Sequence, residues 1–317
     1  MSFMKNPSLP LAALACAGVC CFSTAPAAAA TGKLLLTGGV SSIDGAAGGG
    51  LTPWAVIGSN ATEGETGASA HLTRAVTQDY ALTTYGAALG WQDRVEISLA
   101  RQDFNAAPAL ALNGIAPFGV VPNQHIQMDV LGAKLRLAGE AVLDSDSWMP
   151  QIAVGVEHKR VRPGSLQTVL DFLGARTEGT DVYLSATKLL LGPGVLLNST
   201  LRLTKANQNG LLGFGSAQPG RDRASLQPEF SAAYLLNAHW VVGAEYRFKP
   251  NNLNRLGQAA GLGDALREDD WKDLFIAWAP NKQLSLTLAY VDLGRIVPGV
   301  TESRKQSGTY FSAQVAF

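Results

Sequence analysis

The chain has 317 residues, with 25 basic and 25 acidic side chains and a formal net charge of zero at pH 7. That balance leaves no basic footprint for nucleic acid. A content of 16% charged residues and 34 glycines, with a mean hydropathy barely above zero, suits a β-rich chain and excludes a bundle of membrane helices.

In chain order, the first thirty residues read as an address. Lys5 supplies a positive start, LPLAALACAGVCCF (Leu9 to Phe22) an apolar run, and APAAAA ends at Ala30 with small residues at Ala28 and Ala30. This is the pattern of a cleaved secretory signal over 1–30. The run is too short for a membrane span. Cys16, Cys20 and Cys21 all fall within it, so the exported chain is expected to have no thiol and no disulfide.

Residues 31–66 are Gly-rich, with GGVSSIDGAAGGG flanked by the short apolar runs LLLTGGV and WAVIG. No Lys followed by Ser or Thr closes the glycines, so this is not a phosphate loop. The segment is expected either to sit in the periplasm, to plug a lumen, or to add a hairpin to the structure that follows.

From 67 to 317 what repeats is alternation. In HWVVGAEYRF, Trp240, Val242, Ala244, Tyr246 and Phe248 oppose Val241, Gly243, Glu245 and Arg247; in MDVLGAKLRL, Leu131, Ala133, Leu135 and Leu137 oppose Gly132, Lys134 and Arg136. VEISLA, PQIAVGVEHK, LLNSTLRLT and QLSLTLAYVD follow the same period of two, whereas both faces of DVYLSATKLL are mixed. Counting such segments gives about twelve strands of roughly ten residues, the length a tilted membrane-spanning strand needs. Connections are tight at 92–94, 192–194, 237–239 and 280–282, and long near 105–125, 161–179, 207–225, 249–270 and 293–307. Short turns at one rim and long loops at the other describe an outer-membrane barrel. The expected fold is therefore all-β: a transmembrane antiparallel up-and-down β-barrel of about twelve strands, or fourteen if the Gly-rich segment joins it. A secreted soluble β-sandwich alternates equally well, but it explains neither the strand lengths nor the alternating loops.

The last ten residues, GTYFSAQVAF, put Phe311, Ala313, Val315 and Phe317 on one face of a strand that ends the chain. A closing strand facing lipid needs no polar tail. A terminal Phe after such a strand resembles the C-terminal signature of bacterial outer-membrane barrels. Phe317 is thus expected to be an assembly signal, with the barrel-assembly machinery and outer-membrane lipid as partners. Trp240, Tyr246, Trp278 and Tyr290 lie near strand ends, where aromatic belts sit.

With the apolar faces turned to lipid, the opposite faces put Glu96, Lys134, Arg136, Glu157, Lys159, Arg202, Glu229, Glu245, Arg247 and Asp273 in the lumen. Acids balance bases. They are expected either to line a conduit for a small solute or to fill a narrow lumen as ion pairs. Glu245 and Arg247, two apart on one strand, are close enough to pair with each other or with the strand across the ladder. The outer loops APALALNGIAPFGVVP, GSLQTVLDFLGA and LLGFG are unusually apolar. In the second, Leu166, Val169, Leu170 and Leu173 recur at helical spacing, which predicts a short amphipathic helix packing as a lid on the loops near 108–122 and 211–214.

The chemistry screen is negative. His71, His125, His158 and His239 have no metal-ligand spacing and no Cys to help them, and neither Ser199 nor His71 sits in a lipase-like motif. No catalytic residue, metal or cofactor is expected.

The segments KLLLTGGVSSIDGAAGGGLTPWAVIG, TKANQNGLLGFG, VGAEYRFKPNNL and EDDWKDLFIAWAPNKQLSLTLAYVDLG resemble those of the proteobacterial family known as domain of unknown function 3034, over nearly all of the chain after residue 30. The resemblance implies an outer-membrane-type barrel and brings no functional residues with it. The expected function is a non-enzymatic small-solute channel or structural barrel in the outer membrane of a Gram-negative bacterium. The alternatives are a barrel that takes up hydrophobic compounds and a lipid-modifying barrel enzyme.

Overall fold

The computed structural model describes residues 33, 36–142 and 148–317; the expected signal over 1–30, with its cysteines, lies outside the described residues. Two short strands, β1 (Val40–Ser41) and β2 (Ala47–Gly48), pair with each other and with no wall strand, and Gly48 also bridges to Pro53. Twelve longer strands follow: β3 (Thr66–Thr77), β4 (Ala81–Trp91), β5 (Val95–Asn105), β6 (His125–Ala138), β7 (Gln151–Arg162), β8 (Glu178–Leu190), β9 (Val195–Thr204), β10 (Ser225–Leu235), β11 (Trp240–Arg247), β12 (Trp271–Trp278), β13 (Leu284–Asp292) and β14 (Ser307–Ala316). Each pairs antiparallel with its sequence neighbours, and β14 pairs with β3 from Gly308 opposite Thr77 to Ala316 opposite Ser69, closing the barrel. The Gly-rich segment adds no wall strand, so the barrel has twelve strands and not fourteen.

Burial is inverted relative to a soluble protein. Along β9, Leu197, Leu201 and Leu203 are exposed while Asn198, Thr200 and Arg202 are buried. Leu274 and Leu99 on the outer face are 66% and 59% exposed, whereas Glu157 and Lys159 on the inner face are 0% exposed. A sandwich would bury the leucines and expose the charges; an outer band of Leu, Ile and Phe on a closed barrel requires lipid outside. The mixed strand β8 resolves in the same way, with Asp181, Tyr183, Ser185 and Thr187 inward and Val182 and Leu184 outward. Tyr183 inside mixes one face, and Lys188, less buried than the inward residues, mixes the other near the strand end. Toward the far end of β5 to β7 the outer face turns charged, where the Arg101 Nε–Asp129 Oδ1 pair is 2.5 Å long.

Both chain ends of the barrel lie at one rim. That rim carries the short connections 92–94, 191–194, 236–239 and 279–283, and the opposite rim carries 106–124, 163–177, 205–224, 248–270 and 293–306. Two connections depart from the expected alternation: 78–80 is tight at the long-loop rim, and 139–150 is long at the other. Trp240 and Trp278 stack at 5.7 Å on adjacent strands at the short-turn rim, and Tyr246 packs on Phe248 at 4.7 Å near the other, an aromatic girdle at each level. Phe317 is 63% exposed, and its N–H donates to Ala68 O at 2.8 Å while its carbonyl accepts from Ala68 N–H at 3.0 Å. The last residue thereby ties the closing seam. Because every wall strand is paired on both sides, the folded protein should resist detergent and run faster on a gel unheated than boiled. Phe317→Asp should lower the yield of that fast band; an unchanged yield would remove Phe317 from assembly.

The long loops form a cap. Helix α1 (Gln167–Leu173) follows a 3-10 turn at Gly164–Leu166 and buries Leu166, Leu170 and Leu173. It ends at Gly174 in the left-handed region at φ 64°, where an added Cβ would lie 2.7 Å from Ala217. Phe172 meets Phe118 edge-on at 5.6 Å, and Leu211 and Phe214 are buried nearby, so both expected partner loops are engaged. A second short helix, α2 (Asn254–Ala259), and 3-10 turns at Ala107–Gly114, Gln208–Gly210 and Pro298–Val300 complete it.

Candidate functional site

The barrel interior is occupied by the chain itself. Residues 40–59 are buried throughout, and their polar atoms meet side chains from β5 to β11 and from β14. Glu96 Oε1 accepts Ala47 N–H at 3.1 Å and Glu96 Oε2 accepts Gly58 N–H at 2.6 Å. Lys134 Nζ donates to Ala47 O at 3.0 Å and Val56 O at 2.9 Å, and it pairs with Glu96 at 3.2 Å. Across the lumen, Glu245 accepts Leu51 N–H at 2.7 Å and Thr52 Oγ1–H at 2.6 Å. Pro53 O takes a hydrogen bond from Thr200 at 2.8 Å, and Ala55 N–H donates to Thr187 at 2.8 Å. The glycines permit this fit: a Cβ at Gly49 would stand 2.3 Å from Glu245 Oε1, so only glycine brings the backbone up to the carboxylate.

Toward the long-loop side lies a buried ionic lattice. Lys159 Nζ contacts Asp44 Oδ2 at 3.3 Å, Glu157 Oε2 at 3.3 Å and Asp181 Oδ2 at 3.1 Å. Arg202 bridges Glu157 at 2.6 Å and Glu229 at 2.6 Å, with Asp181 at 3.6 Å and the Tyr183 ring at 5.2 Å. Arg247 joins Glu229 at 3.2 Å and Asp44 at 3.3 Å, and donates to Asn209 Oδ1 at 2.6 Å. Four acids thus face three bases, all buried from solvent, a state tolerable only because each carboxylate is paired.

All ten charged positions read from the strands face inward, but they do not form one ring. Glu157, Lys159, Arg202, Glu229 and Arg247 meet in the lattice; Glu96 and Lys134 form a separate pair. Arg136 sits at the short-turn rim, bonded to Asp93 at 2.7 Å and to Glu140. Glu245 and Asp273 stand side by side in register on β11 and β12. Of the two pairings expected for Glu245 and Arg247, with each other or across the ladder, Arg247 makes the second, reaching Glu229 in register on β10 as well as Asp44, while Glu245 holds the inner segment. Strand alternation gave no hint of Asp44, which belongs to no wall strand, and the mixed faces of β8 hid Asp181. Asp44 did leave a trace, as the only acid between Lys33 and Asn60.

Above the lattice, Lys249 lies 3.0 Å from Glu268 and 3.6 Å over the Trp271 ring. Burial pushes its ammonium down to about 8, with Glu268 pulling the other way. Among the described residues no three His, Cys, Asp or Glu side chains gather as a metal site. His71 is buried in the interior, whereas Ser199 is exposed on the outer wall, so the two are not brought together. The arrangement suits holding a chain segment inside a closed wall, by charge-assisted bonds to its backbone.

Among known structures, the barrel is similar to the NanC porin at 8% identity and a TM-score of 0.48, covering 78% of this chain and 98% of that one. The KdgM porin matches at 8% identity and a TM-score of 0.46, over 78% and 99%. An outer membrane channel from Pseudomonas putida F1 matches at 10% identity and a TM-score of 0.44, over 81% and 96%. No curated protein matches the chain in sequence. The family model described as "Protein of unknown function (DUF3034)" matches residues 37–314, so this outer-membrane-type barrel belongs to that family.

Proposed function

We propose that this chain is an outer-membrane channel for a small polar solute that rests closed, with residues 40–58 as its internal gate. The observation that carries this reading is how the segment is held. Glu96, Lys134 and Glu245 grip mainly its backbone, while the wall is fully paired without it. A segment outside the strand ladder can leave without opening the barrel. Twelve strands lie between barrels filled by their own side chains, at about eight, and water-filled porins, at about 16–18. The lumen left behind would be lined by the paired acids and bases above, a transverse field suited to a polar solute.

We assign the chain no catalytic step, since Ser199 and His71 lie on opposite faces of the wall. Export directed by residues 1–30, and recognition of the strand ending at Phe317 by the barrel-assembly machinery, belong to the same proposal. In planar bilayers the protein should carry little current at rest. Urea too dilute to abolish the fast-running gel band should give reversible openings. A barrel that stays silent while the segment becomes accessible to protease is a structural barrel and not a channel.

A further inference from the structure

The cap at the long-loop rim holds a cavity of about 410 Å³, open to solvent on one side past Ile115, Phe172 and Leu262, whose walls come from every long loop of that rim. Leu112 stands on the first, Leu170 on α1, Leu256 on α2 and Ile296 on the last, with Phe104 and Gln208 below. Loops that merely cover a barrel pack their apolar side chains against each other; these leave space of the size small-ligand sites have, about 300–1,000 Å³. Four polar side chains interrupt the apolar lining, and three have partners: Tyr80 donates to Ile296 O at 3.2 Å, Arg267 pairs with Asp269 at 3.4 Å and Glu268 with Lys249 at 3.0 Å. Gln208 is 4% exposed, and its side-chain oxygen meets no hydrogen-bond partner among the described residues. A buried amide in an apolar site that leaves an acceptor unmade is costly unless something fills the site and supplies the bond. The backbone fixes this residue, because Gln208 N–H donates to Glu268 Oε1 at 2.7 Å. The next residue, Asn209, is held by Lys159 at 2.8 Å and Arg247 at 2.6 Å.

We propose that the cap is a binding site for a small apolar molecule carrying one hydrogen-bonding group, such as a phenol or an alcohol, with that group on Gln208. At about 30 Å³ per water-sized share of space, the cavity holds roughly ten to fourteen non-hydrogen atoms. Its floor rests on the lattice that contains Asp44, so an occupant lies one residue from the groups holding the inner segment. The site does not depend on the channel reading, because binding is measured without current.

The test uses the full chain in lipid nanodiscs, with radiolabelled 1-naphthol and naphthalene as probes in equilibrium dialysis against empty nanodiscs. 1-Naphthol should bind saturably, one per chain. Gln208→Leu should weaken 1-naphthol about five- to tenfold, the loss of one neutral hydrogen bond, and leave naphthalene within about twofold. Leu256→Trp and Leu112→Trp, at partly buried positions where added volume enters the cavity, should each remove binding of both probes while keeping the fast-running gel band. Binding no greater than in empty nanodiscs overturns the proposal. So does 1-naphthol binding indifferent to Gln208→Leu, or binding of both probes that survives both tryptophan variants.

Discussion

Replacing Arg202 with alanine should destabilise the barrel by roughly 3–5 kcal/mol, the usual penalty for breaking a buried ion pair from one side. Arg202 is 1% exposed, and among the described residues its guanidinium is the only direct bridge between Glu157 and Glu229. Without it, Lys159 and Arg247 are left with Asp44, Glu157, Asp181 and Glu229, two bases for four carboxylates in a space that water hardly reaches. The measurement is the urea concentration at which the fast-running gel band disappears in vesicles. Arg202→Lys should recover only part of the loss, because an ammonium cannot place separate nitrogens on two carboxylates as Nε and Nη1 do here. A midpoint for Arg202→Ala equal to that of the wild type would mean that the lattice contributes nothing to cohesion.

Replacing Glu96 and Glu245 together with alanine should turn a quiet protein into one with frequent openings. The two carboxylates accept four hydrogen bonds from the inner segment, from Ala47, Gly58, Leu51 and Thr52. Bonds to a charged acceptor contribute about 1.5–3 kcal/mol each. Even with strong non-additivity, losing four should shift the closed–open ratio roughly a hundredfold or more toward open. Glutamine at both positions keeps acceptors in place and should open less. Single-channel recording reads the change, and the gel band reports whether the wall is intact. If the alanine pair leaves current at the wild-type level while protease cuts the segment, the gate assignment is lost. Deleting residues 164–175 instead should not open the lumen. The helix expected there as a lid belongs to the cap, whereas the interior is filled from below by residues 40–59.

The wall was legible in the sequence because a membrane barrel obeys a local rule. Each strand must alternate between lipid and interior, so a period of two assigns Leu274 outward and Glu245 inward without knowledge of any neighbour. Loop lengths fixed the orientation of the rims, and helical spacing fixed α1, for the same reason: each is written within a dozen or so consecutive residues. The inner segment obeys no such rule. Its Gly49 stands where Glu245 approaches and its one acid where Lys159 and Arg247 meet, and these three partners lie more than a hundred residues away along the chain. Alternation could place Glu245 and Arg247 on one face and offer a neighbouring strand as partner, as Glu229 is for Arg247, but it could not show that Glu245 would hold the inner segment or that Arg247 would also reach Asp44. The sequence by itself determined a closed, lipid-facing wall and a charged interior. Only the tertiary structure decided which charges pair, that the Gly-rich segment fills the lumen, and that the apolar loops close around a cavity, because these depend on distances across the barrel that no local pattern encodes.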